Sequence, residues 1–196
     1  MSLAVDPESG ELVGPASAVE ALLEEEAGDP AFRGWTEGDA RRAELLGGDE
    51  TCVLVTDRPG GRRAILRLAP DHMPVALAVW LDLVPRPVPR EPAIRLDPGA
   101  MAVLIGRGQA HGHGLEPEVA TGLQRRLEAG VRHWTLRFQA GGWRRNLEVL
   151  EGDAGIWRVR PAGERVELAP TTTTAVVREL VALCHRAWRG GRPAAP

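Results

Sequence analysis

His111-Gly112-His113 is the part of this chain whose residue types and spacing come closest to a metal site. An alternating histidine pair can hold a divalent ion, but the sequence offers no evident set of four ligands around it, which is what zinc requires. The same glycine-rich stretch, Gly106 to Gly114, opens like a phosphate-binding loop. It puts His111 where a dinucleotide fingerprint needs its third glycine, and no strand-to-helix crossover surrounds it. Cys184 and His185 are neighbours on a predicted helix and point about 100° apart, so they cannot act together as nucleophile and base. Serine occurs only at Ser2, Ser9 and Ser17, ahead of the predicted core, which leaves no serine nucleophile elbow. Asp71-His72 reads as a helix start in which Asp71 caps. No catalytic residue, no metal ligand and no cofactor is therefore expected. A small metal-dependent enzyme working through His111 and His113 is kept as the alternative.

The elements that would hold such residues follow from periodicity and turn chemistry. Ser17 and Glu20 have capping-box spacing ahead of a short acidic helix, Val19 to Glu26, ended by Gly28-Asp29-Pro30. Thr51 to Asp57 and Arg62 to Leu68 are β-rich runs around Pro59-Gly60-Gly61, a hairpin signature. A helix from Asp71 to about Val84 comes next. Pro85, Pro87, Pro89 and Pro92 then force an extended linker. Ile94 to Leu96 reads as a strand, Asp97-Pro98 opens a helix to about Ile105, and Glu116-Pro117 opens another ending near Gly130.

The last third alternates most clearly. Arg132 to Phe138 and Trp143 to Leu150 flank a predicted four-residue turn that sets Phe138 opposite Trp143 and Arg137 opposite Arg144. A three-residue loop at Gly152 to Ala154 then sets Trp157 beside Val149, and a turn near Pro161 to Glu164 pairs Trp157 with Leu168. One face so built carries Trp134, Leu136, Phe138, Trp143, Leu147, Val149, Trp157, Val159, Val166 and Leu168, the pattern of an antiparallel sheet with one buried side. Packing then accounts for Trp134, Trp143 and Trp157 better than base or sugar stacking does. Thr171 or Thr172 caps a final helix predicted to cover this face. The opposite face holds Arg137, Arg144, Arg158, Arg160 and Arg165, available to solvent or to an acidic partner.

A three-residue phrase recurs at an offset of one hundred: Leu68-Ala69-Pro70 and Leu168-Ala169-Pro170, each after a β-like run and before an apolar helix. The reading is a duplicated strand–strand–helix unit with quasi-two-fold symmetry. The predicted fold class is α+β, an antiparallel sheet with packed helices. The chain is read as one domain, with approximate halves 40–105 and 115–188, a short helical segment over 1–39 and a disordered tail over 189–196.

Composition narrows the function classes. The 196 residues are 43% hydrophobic and 26% charged, which is globular rather than disordered. A net charge of −3 gives no global field for nucleic acid. All 24 basic residues are arginine, a bias that points to a GC-rich genome. Cys52 and Cys184 could form at most one disulfide and fit two buried thiols of a reducing compartment. Neither a signal peptide nor a membrane-length apolar run is evident, so a cytoplasmic chain is expected.

Two segments carry a family likeness. Glu151-Gly152-Asp153-Ala154-Gly155-Ile156-Trp157, followed by Val166-Glu167-Leu168-Ala169-Pro170 and the helix to Ala187, resembles the EspG family of type VII secretion-associated chaperones. Cys52 to Pro85 resembles the equivalent segment of the first half, and the Pro-rich linker with Ile94 to Ile105 resembles the join between halves. Ile156 stands where the family commonly carries Arg, and the region before the first predicted strand looks short, as in a divergent or N-terminally shortened member. The resemblance implies a quasi-two-fold α+β fold and cytosolic binding of helical secreted substrates of the PE/PPE type. The expected function is thus a chaperone or adaptor, with Arg137, Arg144, Arg158, Arg160 and Arg165 as the candidate partner-binding residues. A degenerate paralogue that only forms a homodimer is a further alternative.

Overall fold

Strand-forming runs punctuated by tight glycine turns dominate the chain, and together they build an antiparallel sheet. The computed structural model describes residues 3–27, 32–38, 41–47, 50–90, 92–101, 132–153 and 155–190. The glycine-rich stretch with His111 and His113, the helix expected from Glu116, the continuation of the helix at Pro98 beyond residue 101 and the tail after residue 190 lie outside the described residues. In chain order the elements are β1 (Ala4–Val5), β2 (Leu12–Pro15), α1 (Ala16–Ala27), β3 (Phe32–Gly38), β4 (Arg41–Gly47), β5 (Cys52–Arg58), β6 (Arg62–Leu68), a 3-10 turn (Pro70–His72), α2 (Met73–Trp80), β7 (Ile94–Leu96), β8 (Arg132–Ala140), β9 (Trp143–Gly152), β10 (Gly155–Ala162), β11 (Arg165–Thr171) and α3 (Thr173–Gly190). Among the described residues the strands form one 11-stranded sheet in the order β1-β2-β6-β5-β4-β3-β8-β9-β10-β11-β7. The fold class is α+β.

The chain separates into two compact units, Met1–Leu81 with Leu136–Asn146 and Leu180–Pro196, and Asp82–Thr135 with Leu147–Glu179. In the first, the expected hairpin forms with Arg58 opposite Arg62 and Val55 opposite Ile65. Gly60 and Gly61 in its loop take φ of +76° and +69°, a region closed to most side chains. Val19 of α1 packs on Val55 and Ile65, with Leu12, Leu22, Leu23 and Val53 around them. The segment before residue 40, expected as helical, holds β1, β2 and β3 besides α1. Ser17 lies inside α1, which starts at Ala16 directly after the strand residue Pro15, so the expected capping box is not the helix start. Likewise α2 begins only at Met73 after the 3-10 turn and ends at Trp80, with no side-chain cap from Asp71 or His72.

In the second unit Leu96, Ala100, Met101, Leu150, Trp157, Val159 and Leu168 make one buried cluster, with Ile94 and Val166 against it. Asp97 does cap the following helical turn, its Oδ1 accepting from the Ala100 amide at 2.8 Å. Thr172 caps α3 in the same way, its hydroxyl accepting from the Ala175 amide at 3.0 Å. The Thr173 hydroxyl donates to the Val84 carbonyl at 3.0 Å and accepts from the Arg86 amide at 3.2 Å, tying the Pro-rich segment to the start of α3.

Register is where expectation and structure part. Gly152 pairs with Gly155 across a two-residue turn, so Trp157 faces Leu150 and Arg158 faces Val149. A slip of one residue exchanges the faces of a strand. Val149 therefore lies on the Arg158 side, not beside Trp157, and both residues are buried. Between β10 and β11 the slip is two: Val159 pairs with Leu168 and Trp157 with Pro170. An even slip keeps each side chain on its face, so Trp157, Val159 and Leu168 remain together in the core. The expectation of one buried face fails here, since Leu147, Val149 to Gly152 and Gly155 to Val159 are buried, with residues of both faces among them.

Candidate functional site

The candidate arginines separate once their backbones are placed. Arg137, Arg144, Arg160 and Arg165 are exposed. None of the four makes an ion pair among the described residues. The four-residue turn that would have set Arg137 against Arg144 does not form; β8 runs on to Ala140, and Gly141-Gly142 alone connects it to β9, with Gly141 at φ +53°. The like-charge contact expected between these two arginines is therefore not imposed by the turn.

Arg158 behaves differently because the one-residue slip turns it under α3. It is 8% exposed. Its Nε and Nη2 donate to the two carboxylate oxygens of Glu179 on α3, both at 3.0 Å, a bidentate pair. Its Nη1 also donates to the Glu148 and Val159 carbonyls at 2.9 and 2.7 Å. The expectation of an exposed Arg158 is thus corrected. Its guanidinium fixes the second turn of α3 to β10, and the sheet face under that helix turn is the Arg158 face rather than the Trp157 face.

Around Arg158 lie further paired groups. His133 Nε2 is 2.9 Å from Glu148 Oε1. Glu151, fully buried, sits opposite Ile156 and takes Arg132 Nη1 at 3.2 Å, while Asp82 takes the same nitrogen at 3.2 Å. The buried carboxylate is thus met by Arg132 from β8. No sequence spacing announces this pair, because its members come from neighbouring strands rather than one element.

The other residues singled out by type are structural. Cys184 is buried and His185 exposed, consistent with their divergent directions on one helix. Cys52 and Cys184 are free thiols, and burial pushes Cys52 up to about 11. Trp143 is half-buried rather than core, with the Arg186 guanidinium 5.5 Å from its ring centre. No group of three or more His, Cys, Asp or Glu among the described residues is arranged to hold a metal ion.

The sequence did not announce a cleft in the first unit. It lies between α2 and the β5–β6 hairpin, has a volume of about 760 Å³, and is lined by Leu54, Thr56, Leu66, Ala76 and Trp80 and by the charged Glu11, Asp57 and Arg58. Arg58 and Glu11 form an ion pair. The β5 alternation does announce an inward Thr56, but the helix that walls the cleft is not predicted to stop at Trp80.

No protein-family model and no curated protein sequence matches the chain. Its fold is similar to the structure of the Mycobacterium tuberculosis type VII secretion system chaperone EspG5 in complex with the PE25-PPE41 dimer, with a TM-score of 0.54 and 12% identity over 91% of this chain and 79% of that one.

Proposed function

We propose that this chain is a non-enzymatic, chaperone-like protein that binds a helical secretion substrate of the PE/PPE type in the cytoplasm. The observation that carries the reading is the fold similarity to EspG5, which spans 91% of the chain. It agrees with the resemblance read independently from Glu151 to Ala187. At 12% identity the likeness is one of fold, and the partner assignment goes a step beyond it.

Such a binder covers apolar surface on its partner with a complementary patch, while charges set specificity and association rate. Arg137, Arg144, Arg160 and Arg165 fit the polar part because they are exposed and make no ion pair among the described residues. Arg158 is held by Glu179 and does not belong with them. The test is a binding titration of a purified PE/PPE-type pair against the wild-type chain and against Arg144→Glu and Arg165→Glu. Slower association and a weaker salt dependence in the variants, with unchanged melting, are expected. Identical kinetics in all three proteins would remove the arginines from the interface.

A further inference from the structure

We infer that the proline-rich segment 84–90 is a preformed polyproline II ligand for a protein partner that carries an aromatic-lined groove with an acidic rim. Pro85, Pro87 and Pro89 alternate with Val84, Arg86 and Val88. Each proline fixes its own φ at about −65°, and each residue before a proline is confined to extended or polyproline II backbone. The run is therefore held to one conformation, and it forms neither helix nor strand. The result is a left-handed helix in which residues i and i+3 share a ridge.

Burial along the segment repeats with that period. Leu83 and Arg86 are half-buried and Pro89 is buried. Val84, Pro87 and Arg90 on the second ridge, and Pro85 and Val88 on the third, are exposed. The inward ridge is anchored to α3 and to the β9–β10 turn. The Thr173 hydroxyl accepts from the Arg86 amide at 3.2 Å and donates to the Val84 carbonyl at 3.0 Å. The Arg86 guanidinium lies 3.7 Å from Asp153, and Pro89 sits against Gly155. Two ridges are thus presented outward by a fixed segment.

A stiff connector accounts for the prolines but not for the residues between them. Val84 and Val88 are 38% and 57% exposed and, with Pro85 and Pro87, make a continuous apolar strip. Polar residues at 84 and 88 would stiffen the connector equally well. The backbone then selects the mode of recognition. Pro85, Pro87 and Pro89 have no N–H, so the segment cannot add a strand to a partner's sheet. What it offers is a pair of apolar ridges, which fit between the rings of an aromatic-lined groove. Arg90 ends one ridge; it is exposed and makes no ion pair among the described residues, so it selects an acidic residue at the groove's rim. Because the conformation is preset, little ordering entropy opposes binding.

The experiment titrates the full chain into two isotope-labelled probes, an SH3 domain and a WW domain, each with acidic residues beside its aromatic groove. Saturable shifts of groove resonances are expected with at least one of them, and none when the groove tryptophan of that probe is replaced by alanine. Val88→Ser, Pro87→Ala and Arg90→Glu are each expected to weaken the binding about tenfold with melting unchanged. Arg62→Glu, an exposed charge reversal on β6, is expected to leave it as it is. No saturable shift with either probe overturns the proposal, as does binding that survives both Val88→Ser and Pro87→Ala.

Discussion

Single residues decide more here than their exposure in sequence suggests. Arg158 looks interchangeable with Arg160 two positions on, since both alternate with apolar neighbours. One is bidentate to Glu179 and the other is exposed. Arg158→Ala should cost roughly 3 kcal/mol, because it strands the Glu179 carboxylate and two main-chain carbonyls together. Arg160→Ala should stay within about 0.5 kcal/mol. Urea denaturation of the two variants checks this, and equal midpoints would contradict the placement of Arg158. The cysteines give a pH-dependent prediction. Burial raises Cys52 from 9.0 to about 11, and Cys184 rises for the same reason, with the neighbouring Cys52 adding to it. A folded-state value above the unfolded one favours the protonated thiol in the native protein. The stability it contributes is complete below pH 9 and is lost as pH rises towards 11. The melting temperature should therefore be nearly flat from pH 7 to about 8.5 and fall above 9, and the fall should be smaller in Cys52→Ala. At pH 8 both thiols should react with a thiol reagent only after denaturation.

Among the elements, type was legible and register was not. The three hairpins of the last third, the Pro59-Gly60-Gly61 hairpin, β7, the helix start at Asp97-Pro98 and a threonine cap on α3 could all be read from alternation and turn chemistry. What alternation cannot give is turn length, and the two-residue turn after Gly152 replaced the expected three, moving Val149 and Arg158 to one face. The strands β3 and β4 were missed because Phe32–Gly38 and Arg41–Gly47 mix charged residues and glycine with few β-branched ones. Gly155 shows why the turn is fixed as it is. Its φ is +146°, and a Cβ there would lie 2.4 Å from Pro89 Cγ in the Pro-rich segment. Gly155→Ala should cost more than about 2 kcal/mol through strain and that clash. Gly163→Ala, at φ +68° with open space around it, should cost only about 1 kcal/mol. Thermal melts of the pair rank them, and the reverse order would mean that the Pro89 contact is not a constraint.

For the whole molecule, the order of strands and helices was easier to read than their register. Leu68 ends β6 and Leu168 lies in β11, and each Leu-Ala-Pro phrase is followed by a helix, α2 and α3. The fold class and its likeness to a secretion chaperone were legible because they depend on the order of strands and helices, which survives register errors. The cleft was not, because it depends on α2 ending at Trp80. The arginine assignment was legible only in part, since exposure follows from register and not from residue type. The central claim, binding of a helical secretion substrate, is tested most directly by co-expressing the chain with a PE/PPE-type pair and measuring the mass of the eluting species by size-exclusion chromatography with light scattering. The account predicts a single species whose mass is the sum of the chain, 21.1 kDa, and one substrate pair. Separate elution of the chain and an intact substrate pair, at concentrations well above micromolar, would contradict it.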